Sequence, residues 1–173
     1  MTALCFVDTN VLVNWRDGRD PNKQSRAREW LELLWRERRA RTSTQVLSEY
    51  YSVISRKFSG LISAEEAWRD VNAMLAWAPQ PIDAEVLRQA RDVESRHRLN
   101  WWDCLVVAAA QVQDCDLLLT EDLQDGAHYG GVSVRNPFVL GVAEASAKYA
   151  AAPKITSRHR GRGRPRKQRI ANG

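Results

Sequence analysis

ALCFVD, residues 3–8, is apolar up to its final acid, and DLLLT, residues 116–120, reads the same way from Leu117 onward. Runs this short, apolar at consecutive positions, suit strands buried on both faces rather than half-wet ones. Val132–Arg135 reads as a further strand, close behind the glycines Gly126, Gly130 and Gly131 that mark loops. Between these runs lie helical patterns. Short buried strands alternating with helices imply an α/β fold with a parallel sheet covered on both faces. In such sheets functional sites form beyond the carboxyl ends of the strands. That rule singles out Asp8, which ends the first strand, and Thr120-Glu121-Asp122, which ends a later one.

Working outward, Thr9, Asn10 and Val11–Val13 open a helix or turn, and residues 16–23, with Gly, Pro and charges, read as a loop. Ala27, Trp30, Leu31, Leu34 and Trp35 fall at helical spacing and predict an amphipathic helix over 24–41, its Trp30/Leu34/Trp35 stripe facing the core. Thr42–Thr44 suits a short strand leading into a helix over 45–58, stopped by Ser59-Gly60. Ser63 with Glu66 three residues on forms a capping box for a helix over 64–77. Pro79 and Pro81 bracket an extended piece, and Asp83 caps a helix reaching about His97. The next helix, from Asp103 to Gln113, is apolar all round in CLVVAAA and should lie buried in the centre. The adjacent Trp101 and Trp102 are expected to pack the core at its entry, and residues 137–150 can add a short helix.

Four acids draw attention. Asp8 can start a turn or cap the next helix as well as ligate a cation. Glu49 has Val46 three residues before it and Val53 four after, so it lies on the burying face of its helix. A carboxylate there needs a partner, an Arg, a hydrogen bond or a metal, because burying it bare is costly. Asp103 opens the most apolar helix, where an Asp is normally a cap, although one oxygen can cap while the other ligates. Asp122 follows a buried strand, with Glu121 and Asp125 close enough to compete for its role. Hard oxygen ligands of this kind suit Mg²⁺ or Mn²⁺. The three His (His97, His128, His159) are scattered and read as surface or loop residues. The three Cys (Cys5, Cys104, Cys115) sit in apolar stretches as free buried thiols, with no metal-ligand spacing.

The chain has 173 residues, ample for one core, and 27% of them are charged. Its net charge of +5 is unevenly spread. Lys154 to Arg169 holds eight bases and no acid, leaving 18 bases against 21 acids in residues 1–153. A mildly acidic body with a strongly basic tail points to a polyanionic partner for the tail. The opening MTALCFVDTN lacks a basic n-region and no apolar run approaches the length of a membrane span, so a cytoplasmic, reduced protein without membrane contact is expected. No glycine-rich phosphate loop or nucleophile elbow appears. A haloacid-dehalogenase phosphatase would need a second Asp two residues after Asp8, where Asn10 stands.

Four blocks, FVDTNVLV (6–13), STQVLSEYYSVI (43–54), WWDCLVVAAA (101–110) and LLLTEDL (117–123), resemble the PIN domain in order and separation. Over roughly residues 3–140 the chain is similar to the VapC-type toxins of bacterial toxin–antitoxin pairs. The resemblance implies a three-layer α/β/α PIN-like fold with a short, mainly parallel central sheet. It implies a ribonuclease using Mg²⁺, for which Mn²⁺ can substitute, often dimeric and held inactive by a cognate antitoxin. The family's acids fall on Asp8, Glu49, Asp103 and Asp122. Metal binding goes mainly to Asp8, Asp103 and Asp122, with Glu49 ligating directly or through a water and Asp125 a possible extra ligand. Asn10 and Thr120 match polar positions that support the site. Where many relatives place an aromatic after the fourth acid, this chain has LQDG.

The expected organisation is a nuclease domain over 1–150 and a disordered basic tail over 151–173. Within the tail, Arg162-Gly163-Arg164-Pro165 resembles the core of an AT-hook, although Gly161 stands where many hooks carry Pro. Gly163 lets the backbone lie deep in a narrow minor groove while Arg160, Arg162, Arg164, Arg166 and Lys167 supply charge. The alternative for the tail is capture of the RNA substrate. Two rival readings of the whole chain are a non-catalytic module that pairs with an antitoxin and holds it on DNA, and a housekeeping RNA-processing nuclease with no antitoxin.

Overall fold

The computed structural model describes residues 3–139. Three-residue β1 (Cys5–Val7) is wholly buried and leads into α1 (Thr9–Arg16), with Asp8 as its N-cap. α2 (Pro21–Arg36) begins three residues earlier than the periodicity predicts. Asp20 caps it by accepting from the amides of Asn22 and Lys23, and Pro21 supplies a first-turn φ already suited to a helix. The helix also ends before 41. Arg38 turns left-handed (φ 55°), and Ala40–Arg41 forms the edge strand β2. The short strand expected at Thr42–Thr44 therefore lies two residues earlier, and Ser43 instead caps α3 (Thr44–Lys57) through the Val46 amide.

α4 (Ala64–Met74) carries the Ser63–Glu66 capping box, then tightens into a 3₁₀ turn over Leu75–Trp77 that the left-handed Ala78 (φ 51°) ends. α5 (Ala84–His97) is capped by Asp83. α6 (Trp101–Val112) starts at the tryptophans because Asn100, not Asp103, is its cap. Every residue from Cys104 to Ala110 is buried, as its all-round apolarity requires. β3 (Leu117–Leu119) follows. The two-residue β4 (His128–Tyr129), which the sequence reading did not contain, pairs antiparallel with β5 (Val132–Arg135).

The sheet order is β2-β1-β3-β5-β4, parallel except for β4. From β1 the chain first moves outward to β2, then returns across to β3 on the other side. β1 and β3 thus flank the switch point where a crevice opens beyond their carboxyl ends. Among the described residues, six helices flank this sheet, consistent with a three-layer α/β/α arrangement. Phe6, Val7, Leu118 and Leu119 meet Leu12, Leu34, Ile54 and Val107 in one core. All three thiols are buried and free.

Polar contacts tie the helices beside the crevice. Asp70 of α4, almost fully buried, accepts from Arg16 Nε of α1 at 2.8 Å and from the Tyr50 hydroxyl of α3 at 2.6 Å. Burial, then the Asp70 contact, raises the Tyr50 phenol well above its ordinary value. Trp30 and Leu34 pack inward, but Trp35 remains 46% exposed against Trp77. Trp101 is half-buried, whereas Trp102, expected in the core, is 63% exposed. On the first turn of α6 the two side chains point about 100° apart, so only one of them can face the sheet. The basic tail and most of the short helix expected over 137–150 lie outside the described residues.

Candidate active site

Asp8 is the hinge of the crevice. Its Oδ1 accepts from the Thr9 amide at 2.7 Å, which caps α1. Its Oδ2 accepts from the Thr120 hydroxyl at 2.7 Å and from Asn10 Nδ2 at 3.2 Å. Cap and site roles thus fall on one side chain, because β1 ends where α1 begins. The Asn10 amide also reaches Thr120 Oγ1 at 2.9 Å and Asp122 Oδ2 at 3.0 Å, bridging the two carboxylates. Thr120, fully buried at the end of β3, in turn receives the Asp122 amide at 3.1 Å. Parallel pairing of β1 with β3, Val7 opposite Leu119, brings these side chains together.

Glu49 comes in from α3, half-buried. Among the described residues it has no Arg partner: Thr9 Oγ1 donates to one oxygen at 2.9 Å and Gln45 Nε2 to the other at 3.0 Å. Asp103 stands in the first turn of α6, its amide donating to the Asn100 side chain at 3.0 Å while Asn100 Nδ2 donates back to its carboxylate. The two competitors of Asp122 have other partners. Glu121 is held by Asn14 at 3.2 Å and by Lys23 at 2.5 Å, and Asp125 accepts the Asn136 amide at 2.9 Å.

The acids feel one another. Burial pushes the Asp8 carboxyl up to about 6; the bonds from Thr120 and Thr9 oppose this, and the charges of Asp122 and Glu49 add to it. Burial, then the charge of Asp122, raises Asp103 as well, against the bond from Asn100. Among the described residues no three Asp, Glu, His or Cys side chains converge at the spacing a bound ion requires. Asn10 occupies the gap between Asp8 and Asp122 instead. The crevice is nonetheless an all-oxygen set whose burial and mutual repulsion, which raise Asp8 and Asp103, a divalent cation would relieve.

Sequence reasoning missed Thr9, Gln45, Asn14 and Lys23. Gln45 was within reach of it, since it precedes Glu49 by four residues on one helix face. Lys23 was not, because only the tertiary fold brings it to Glu121.

The protein is of the α/β class, with a mainly parallel sheet and carboxylates gathered beyond the adjacent strands β1 and β3. The chain belongs to the PIN domain family, whose model matches residues 5–124. No curated protein matches it in sequence. Among solved structures it is similar in fold to a toxin–antitoxin complex from Klebsiella pneumoniae, at 20% identity and a TM-score of 0.57, over 77% of this chain and 97% of that one. It is also similar to Mycobacterium tuberculosis VapC20, a toxin that cleaves the sarcin–ricin loop, at 18% identity and a TM-score of 0.50, over 66% of this chain and 86% of that one.

Proposed function

We propose that this chain is a divalent-metal-dependent endoribonuclease and the toxin of a toxin–antitoxin pair. The observation that carries the reading is the convergence of Asp8 and Asp122 on one Asn10 amide at the carboxyl ends of β1 and β3, with the charges of Glu49 and Asp103 close by. So many carboxylates in one crevice would repel a phosphodiester unless a cation stood among them. Asp8, Asp103 and Asp122 would hold Mg²⁺, or Mn²⁺ in its place, with Glu49 orienting the attacking water or ligating. When bound, the ion neutralises charge on the phosphate and lowers the pKa of a water.

This chain's own residues do the rest. Thr120 and Thr9 fix both oxygens of Asp8, and Asn10 sets Asp122. Thr9 and Gln45 each hold one oxygen of Glu49, which would orient it for its role. One oxygen of Asp125 accepts the Asn136 amide, and its other oxygen could serve as an extra ligand. Kinship in fold to a toxin–antitoxin complex and to an RNA-cleaving toxin supports the biological setting. The exposed ring of Trp35 offers apolar surface to an antitoxin. The basic tail, from Arg160 through Lys167, adds a second nucleic-acid contact, to AT-rich DNA through the hook-like Arg162-Gly163-Arg164-Pro165 or to RNA.

The test is RNA cleavage by protein purified free of host nucleases. Cleavage should require Mg²⁺ or Mn²⁺, stop with EDTA, and fall in Asp8→Asn and Asp103→Asn by about a hundredfold or more, because metal-held charge stabilisation amounts to several kcal/mol. Full activity in either variant, or no affinity for Mn²⁺ in the wild type, would favour a non-catalytic antitoxin-pairing module.

A further inference from the structure

We propose that the Lys23 ammonium is a contact for a substrate phosphate at the mouth of the crevice, held in place by Glu121 until the substrate arrives. This rests on the ribonuclease reading.

Asp20 and Pro21 start α2 early enough to put Lys23 in its first turn, and the side chain then reaches Glu121, 98 positions further along the chain, at 2.5 Å. Glu121 lies between Thr120 and Asp122, so its backbone belongs to the crevice while its carboxylate turns to the rim. Asn14 Nδ2 holds the other oxygen of that carboxylate at 3.2 Å. On the Lys23 side, the ammonium sits 5.1 Å from the centre of the Phe138 ring, which favours a cation there. The position is therefore set by three elements, α1, α2 and the turn after β5.

The Lys23 and Glu121 side chains are 36% and 25% exposed. An ammonium has three donors; Glu121 takes one, and the exposed side leaves others open to an anion. The charge is also needed there. RNA is polyanionic, and the crevice presents four carboxylates to it. A fixed cation at the rim offsets part of that repulsion during approach. Of the arginines before it, Arg16 is bound to Asp70 and Arg19 to Asp17.

An ordinary salt bridge and a phosphate contact predict different results. If the pair only braces the loop, removing either partner has the same effect. If Lys23 binds phosphate and Glu121 competes for it, the two removals act in opposite directions. The experiment is a fluorescence-anisotropy titration of a labelled single-stranded oligoribonucleotide by full-length Asp8→Asn protein at several salt concentrations. Adding Lys23→Gln should weaken binding about fivefold and make the log–log salt slope shallower by about 0.7, the value for one lost phosphate contact on a single strand. Adding Glu121→Gln should tighten binding. The tail's own affinity is common to all three proteins and cancels in the differences. Effects of the same sign, or no change on either substitution, overturn the proposal. Absence of RNA binding by the Asp8→Asn protein itself would instead remove the ribonuclease reading beneath it.

Discussion

Asp8 uses its two oxygens differently, one for the α1 cap and one for the Thr120 and Asn10 contacts, and this gives its titration a clear sign. Its folded value of about 6 lies above the ordinary 3.8, so the fold favours the protonated form. The stability this contributes is complete below pH about 4 and is lost as pH rises through about 6; a shift near two units corresponds to roughly 3 kcal/mol. Metal-free protein should therefore melt at a lower temperature at pH 7 than at pH 5, and Mn²⁺ should recover the loss. Asp8→Asn should show a flatter pH dependence in EDTA. An unchanged profile in that variant would show that Asp8 is not the group responsible. At the same scale, Asp8 was conspicuous because it ends an apolar run, whereas Glu49 and Asp103 stood out only as members of PIN-like blocks. Lys23 was not legible, because a lysine among polar residues looks like any solvated charge until its partner is known. Trp102 misled for a related reason: adjacent tryptophans look equally apolar, and only the helix phase decides which is buried. Trp102→Ala should leave the urea midpoint nearly unchanged, whereas Trp30→Ala, in the core, should cost about 3–5 kcal/mol.

Among the elements, the long amphipathic helices were readable from periodicity, and the Ser63–Glu66 and Asp83 caps set their starts where the structure has them. The two-residue strands were not. Two residues, Ala40–Arg41 or His128–Tyr129, carry no period, and they exist because a neighbouring strand offers hydrogen bonds. The same holds for where α2 stops, since pairing with β1 takes residues that propensity would have left helical. Asp70 joins three helices that the sequence shows only one at a time. Asp70→Ala should leave the Tyr50 hydroxyl and the Arg16 guanidinium without their partner and lower stability by roughly 2–3 kcal/mol. Equilibrium urea unfolding measures this, and Tyr50→Phe, which removes only one of the bonds, should cost less. A loss as large for Tyr50→Phe would place the stabilisation in the Tyr50 contact rather than in the three-helix tie.

Across the whole molecule, the site belongs to the sheet order. β1 and β3 are adjacent although more than a hundred residues separate Asp8 from Thr120, and their parallel register sets the distance between those side chains. The amino-acid sequence by itself pointed to the α/β class, the buried central helix and the asymmetry of charge, and through its four PIN-like blocks it singled out four candidate acids. The class, the helix and the charge are written in local composition, as apolar runs, helical spacing and a cluster of bases; the acids needed the order of the four blocks. Only the tertiary structure decided that Asn10 bridges Asp8 and Asp122, that Thr9 and Gln45 hold Glu49, and that Glu121 turns away to Lys23. Those are contacts between segments far apart in the chain or directed by backbone geometry at an element's end. Residue spacing limits them but does not choose among them, because strand order and helix packing set which side chains meet.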